Sequence, residues 1–376
     1  MSTVSQPAAK RARTEPAGNG GAGDRKDNPS STVTLPGHAA NANSTAASTA
    51  AEASVDSGIF RDTPSLLLGH ENVVNALAWT QDGGRLCSGS MDRTLKLWDP
   101  GHGQRGKAMC VRTLRHAAAI DSVCTSPVNP QLVATCADLK LHIWDARVRS
   151  NDSAKQSFAV STPGADILNC DWHPGNNYIV TANKDDVLAV SDVRKGSVMK
   201  KTKFKYEVNE ILFAEGGQRL LVAGCENLSS QGTLGVLDFK AGCTFETLAV
   251  LKAHTASCYC ISMADEAQRI ASGGSDALVT VWDTSDMVCM TTVDRITTNI
   301  ESVSLSHDGN FVAACGMRGC VVDVASTESG RLEAQLPSDV TLNSVRFNPK
   351  FMQLAYAGAG RRIAQAGTTR YPVYLA

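Results

Sequence analysis

Two stretches of this chain place His, Ser and Asp side chains at spacings that a hydrolase could use: His70, Ser88 and Asp92, and again His254, Ser272 and Asp276. In such a set a carboxylate orients an imidazole, which takes the proton of a nucleophilic hydroxyl. A third stretch, "TANKDDVLAVSDVR" at 181–194, sets Asp185 beside Asp186 with Asp192 following, as an acid pair or a cation site would. An active site is built once, but here the His, Ser and Asp set recurs. Trp98 completes the first set and Trp282 the second at the same offset, and a third copy holds His116, Thr135, Asp138 and Trp144, one residue shorter between Thr135 and Asp138. A recurring set with Trp attached points to a structural tetrad. Asp accepts from the imidazole, which bridges to the hydroxyl and thence to the indole N–H, tying the strands of one blade together. Catalysis is the poorer reading, and nothing calls for a cofactor. Cys258 and Cys260 lack the Cys-x-x-Cys spacing and second ligand pair of a metal centre, so they read as buried strand thiols.

Short strands must deliver these side chains. The segments ending at Asp99, Asp145 and Asp283 each run His, strand, turn, strand, Asp turn, strand, Trp-Asp. With weaker copies included, the closing Asp recurs at Asp99, Asp145, Asp192, Asp238, Asp283 and Asp323, in steps of 40 to 47 residues. Period and pattern resemble the WD-repeat family, whose units form four-stranded blades. The expected fold is all-β: a seven-bladed WD40 β-propeller over residues 59–376. Asp185 lies six residues before Ser191, as Asp92 does before Trp98, so the acid pair falls in a turn of blade 3. Blade 3 has Ser191 for Trp and no His, blade 4 has Leu237 there, and blade 6 has Val322. Apolar strand packing must hold those three. The last repeat lacks a Trp-Asp and carries Pro372 where its third strand would run, which predicts an edge or an irregular segment. Residues 63–68 are expected to complete that blade.

The 376 residues are 43% hydrophobic and 19% charged, ordinary for a soluble globular protein. With 36 basic and 37 acidic residues there is no global field for a polyanion or a membrane surface, so any nucleic-acid contact must be local or supplied by a partner. No stretch reaches the roughly 18 apolar residues of a membrane span, and the start lacks a secretory core. An intracellular protein with reduced cysteines is expected. Residues 1–58 are rich in Ala, Ser, Thr, Gly, Asn and Pro and read as a disordered tail. Within it Lys10, Arg11 and Arg13 form either a nuclear import signal or an inert solvated cluster.

"NKDDVLAVSD" at 183–192, "KFKYEVNEI" at 203–211, "SDALVTVWDTSDMVC" at 275–289 and "LSHDGNFVAA" at 305–314 resemble the THO complex subunit 3 family of WD-repeat proteins. The resemblance runs from about residue 60 to 360. It implies a nuclear, non-enzymatic scaffold in the THO assembly and the larger transcription-export (TREX) complex. The implied partners are the other THO subunits and, through the larger complex, a DEAD-box RNA helicase and an export adaptor, with RNA contact indirect and no membrane. Two surface stretches could carry partners. "RKGSVMKKTKFK" at 194–205 presents Lys200, Lys201, Lys203 and Lys205 on an outer strand, where they either guard the edge or meet an acidic partner or RNA backbone. Trp144, Asp145 and Arg147 in "WDAR" resemble the motif by which some propellers dock on a cullin-RING ubiquitin ligase as substrate receptors; Arg147 is otherwise a solvated residue.

Overall fold

The computed structural model describes residues 60, 64–101, 108–148, 154–226, 230–359, 363–365 and 368–376. Apolar and small residues alternate there into antiparallel strands. Tight turns join them, and Asp138, Asn176 and Asp186 adopt the left-handed backbone that short polar residues tolerate. Six four-stranded sheets follow one another over residues 74–115, 122–159, 167–203, 207–254, 258–293 and 300–337. The seventh takes Thr341–Phe347, Leu354–Ala359 and Thr368–Leu375 from the C-terminal end, and its outer strand, Ser65–His70, from the N-terminal side. The first strands of successive blades touch all the way round, blade 7 against blade 1 included, so the ring closes.

Two kinds of contact hold blade to blade. Apolar faces pack between neighbours, as Val180, Leu188 and Val190 of blade 3 do against Ile211, Phe213 and Leu220 of blade 4. Around the channel, polar side chains on first strands accept backbone N–H groups of the next blade. Ser122 takes Cys170 N at 3.2 Å, Asp171 takes Phe213 N at 2.6 Å, and Glu210 takes Ile261 N at 2.8 Å. Ser262 and Ser304 do the same for Leu305 N and Phe347 N at 3.0 and 2.9 Å. These bonds satisfy N–H groups that the sheets leave unpaired.

The closing blade corrects one expectation. Thr368–Leu375 is no edge, because it pairs with Leu354–Ala359 on one side and Ser65–His70 on the other. Its ladder with Leu354–Ala359 runs from Leu375 to Val373 and stops short of Pro372, which stands opposite Leu68. Proline lacks one donor, so it is tolerated where the inner ladder has already ended. The closing N-terminal strand begins at Ser65, two residues later than expected, and extends to His70. Tyr356 and Tyr374 stack at 4.9 Å within this blade, which has no Trp-Asp. No helix among the described residues is long and apolar enough to cross a membrane.

Leu67 of the closing strand is 2% exposed and packs with Trp79, Leu86, Trp98 and Val373. Leu67→Ala should destabilise the protein by about 2 to 4 kcal/mol. An unshifted urea midpoint would show that this strand does not hold the ring shut.

Candidate functional site

In the first repeat the buried polar groups form a complete chain. Trp98 Nε1–H donates to Ser88 Oγ at 2.7 Å, and Ser88 Oγ lies 2.6 Å from His70 Nε2. His70 Nδ1 lies 2.8 Å from Asp92. A neutral imidazole protonated on Nδ1 satisfies every member, with the serine hydroxyl donating to Nε2. Burial lowers the pKa of His70, only partly opposed by Asp92, in keeping with that neutral form. Burial works to raise Asp92, but the bond from His70 and those from Thr94 and Glu71 N outweigh it and hold the carboxyl well below its usual range. The fifth repeat repeats the chain: His254 Nδ1 to Asp276 at 3.0 Å, His254 Nε2 to Ser272 at 3.0 Å, and Trp282 Nε1 to Ser272 at 3.2 Å. Ser88 and Ser272 are fully buried, so neither hydroxyl can meet a substrate.

These bonds run between blades, whereas the repeat pattern suggested strands of one blade. His70 ends the outer strand of blade 7, while Ser88 and Trp98 belong to blade 1. His254 likewise ends the outer strand of blade 4, while Ser272 and Trp282 belong to blade 5. The sequence repeat is therefore offset from the blade by one strand.

The third copy is incomplete. Trp144 Nε1–H donates to Thr135 at 3.0 Å and Thr135 lies 3.4 Å from His116 Nε2, but Asp138 turns outward, 3.6 Å from Lys140. The missing residue leaves a two-residue turn in which Asp138 and Leu139 both have positive φ, 51° and 61°, and this geometry carries the carboxylate away from the imidazole. His116 packs instead against His142 and Trp144, at 5.1 and 4.5 Å between ring centres. Burial, aided by the His142 charge, pushes its pKa down to about 3.

Asp185 and Asp186 lie in the tight turn after Tyr178–Asn183. Asn183 organises that turn: its Oδ1 accepts Asp185 N and Val187 N at 3.1 and 3.0 Å, and its Nδ2 donates to Ser161 at 2.8 Å. Asp186 accepts Val208 N at 3.2 Å, while Asp192 accepts Arg194 N and Lys195 N in the next turn. Ser191, in the Trp position, is buried and its hydroxyl has no hydrogen-bond partner.

Lys200, Lys201 and Lys203 lie exposed on Ser197–Lys203, the outer strand of blade 3, and exposed Lys205 follows in the link to blade 4. Thr202 and Phe204 alternate with them and are half-buried. In "WDAR", Arg147 donates from Nε and Nη2 to Asp145 at 3.0 and 2.7 Å, and this pairing brings the Asp145 pKa down to about 2. Trp144, by contrast, is buried in the blade 2 chain. Lys10, Arg11 and Arg13 lie outside the described residues.

One constellation had no signature in the chain. Arg346 of blade 7 donates to Glu210 of blade 4 at 3.1 Å, and to Ser302 of blade 6 at 3.1 Å. Blades 4 and 7 are three steps apart in a ring of seven, so the pair spans the central channel. At 136 residues' separation, only the closed ring brings it together. Thr94 and Thr280, which join the first and fifth chains, were also missed, because they occupy different positions in their repeats.

The geometry defines a WD-repeat propeller whose polar networks are structural. The WD40 family model (WD domain, G-beta repeat) matches residues 63–99, 108–145 and 245–283, the three segments that hold the His and Trp chains. The chain is 34% identical over 291 residues to THO complex subunit 3 of Arabidopsis thaliana, spanning 77% of this chain and 88% of that protein. It therefore belongs to the THO complex subunit 3 family. Similarity to WD repeat-containing protein AAC3 of Dictyostelium discoideum is 27% over 262 residues, 64% of this chain and 52% of the relative. To Target of rapamycin complex subunit LST8 of Saccharomyces cerevisiae it is 23% over 236 residues, 61% and 73%.

Asp92→Ala should cost about 1 to 3 kcal/mol by stranding His70, whereas Asp138→Ala should stay within about 0.5 kcal/mol. Equal urea midpoints for the two variants would refute the difference between the repeats. A pH dependence follows from the same groups. His70 and His116 have lowered folded pKa values, so below about pH 6.5 the unfolded chain binds more protons and stability falls. Asp92 and Asp276, held low when folded, add a second loss below about pH 4. His116→Gln should flatten the decline in urea midpoint between pH 7 and 5.

Proposed function

We propose that the chain is a non-enzymatic scaffold subunit of the nuclear THO assembly and the larger TREX complex, coupling transcription to mRNA packaging and export. The observation that carries this is the 34% identity to THO complex subunit 3 across 88% of that relative, degenerate blades included. The relative from the rapamycin complex shares fewer residues over less of the chain, as expected where only the repeat is common. The geometry supports a scaffold because the polar groups that resemble catalytic sets are buried and bonded to one another. A rigid ring loses little ordering entropy on docking, which suits it to holding other subunits. Within this proposal the partners are the other THO subunits, with a DEAD-box RNA helicase and an export adaptor reached through the larger complex, and the location is the nucleus.

Affinity purification of the tagged chain from nuclear extract, followed by mass spectrometry, should recover THO subunits as the dominant partners. Recovery of a cullin-RING ligase adaptor in their place would assign the chain to substrate reception instead. Fusing residues 1–30 to a fluorescent cargo tests the basic cluster of Lys10, Arg11 and Arg13, and nuclear accumulation is the expected result.

A further inference from the structure

The face of blade 4 that turns toward blade 3 carries a shallow recess, with about 290 Å³ of free space counted out to open solvent. Its origin is a gap in one row of side chains. Val222, Gly235 and Val250 stand opposite one another on three adjacent strands, and the middle one contributes no side chain. Leu237, Val222 and Val250 form the walls with Phe204 and Tyr206 from the link between blades 3 and 4. The backbone does not need this glycine: Gly235 has no left-handed φ, and an added Cβ would lie an ordinary 3.6 Å from Val222. A glycine inside a strand weakens it, and it often marks close approach by another group.

The rim of the recess is basic. Lys203 and Lys205 flank Phe204 and are exposed, and exposed Lys252 stands opposite Thr233, a lining residue, on the same face. Val250 is 37% exposed, so an apolar wall is open to solvent beside those cations. We propose that this recess docks an acidic linear segment of a partner protein, which seats one aliphatic side chain over Gly235 with its carboxylates beside Lys203, Lys205 and Lys252. The proposal rests on the reading of the chain as an assembly subunit. An RNA backbone would use the lysines but not the apolar walls, and a phosphate entering the recess would meet Glu207, which also lines it.

The test is fluorescence anisotropy on the full chain with three labelled probes: the peptide EDELDED, its variant with serine for leucine, and a twelve-nucleotide oligouridine. The leucine peptide should bind, and the serine form should bind about tenfold more weakly. Gly235→Leu, which fills the recess, and the double variant Lys203→Glu with Lys205→Glu should each weaken the leucine peptide by a similar factor. Gly235→Ala, a milder filling, should weaken it by roughly threefold. The urea midpoints of both Gly235 variants should equal or exceed that of the parent. Equal binding of the two peptides, full affinity in Gly235→Leu, or tighter binding of oligouridine would each overturn the proposal. If THO subunits co-purify with the parent chain but the leucine peptide fails to bind, the assembly reading stands and the recess does not. If the peptide binds and no THO subunit co-purifies, the reverse holds.

Discussion

Every blade of this ring must be fastened to the next through groups that have lost their water. A four-stranded sheet has two faces and two edges, and none of the seven could bury both faces alone. Apolar packing supplies most of the attraction, but it is indifferent to small slips in register. The polar bonds are not. Where Ser304 accepts Phe347 N, or Asp171 accepts Phe213 N, one strand height on one blade is matched to one on the next. A slip would strand those groups in a dry interior, at a cost well above what the bond itself contributes.

The buried His, Ser, Asp and Trp chains act at the opposite edge of each sheet. Because the sequence repeat is displaced by one strand, the imidazole that ends one blade is held by the hydroxyl, carboxylate and indole of the next. His70 is the strongest instance. It sits on the strand that closes the ring, so its bonds to Ser88 and Asp92 secure the joint between the two ends of the chain. Blades 3, 4 and 6 lack the full set, and blade 3 relies on Asn183 and its bonds to Ser161 and the turn backbone instead.

Much of this was legible in the chain. The spacing of the closing Asp residues gave the blade count, and the recurrence of Trp beside His and Ser identified a network rather than an active site. The placement of Asp185 in a turn followed from the same register. What was not legible depends on geometry that spacing does not encode. One residue fewer before Asp138 reads as a small defect, yet it forces two left-handed residues and removes the carboxylate from the chain. Pro372 reads as a strand breaker, yet one ladder stops before it and the other tolerates it. Arg346 and Glu210 carry no motif, and only closure of the ring makes them neighbours.

That last pair bears on how the ring can be used. Arg346 is held by Glu210 from across the channel and by Ser302 from the adjoining blade, and Glu210 is itself tied to Ile261 N. The bore is barred. A peptide or nucleic-acid strand could thread it only by breaking a buried ion pair together with its supporting bonds. Traffic between the two sides of the disc must therefore pass around its circumference, and a partner that engages both sides has to wrap the rim.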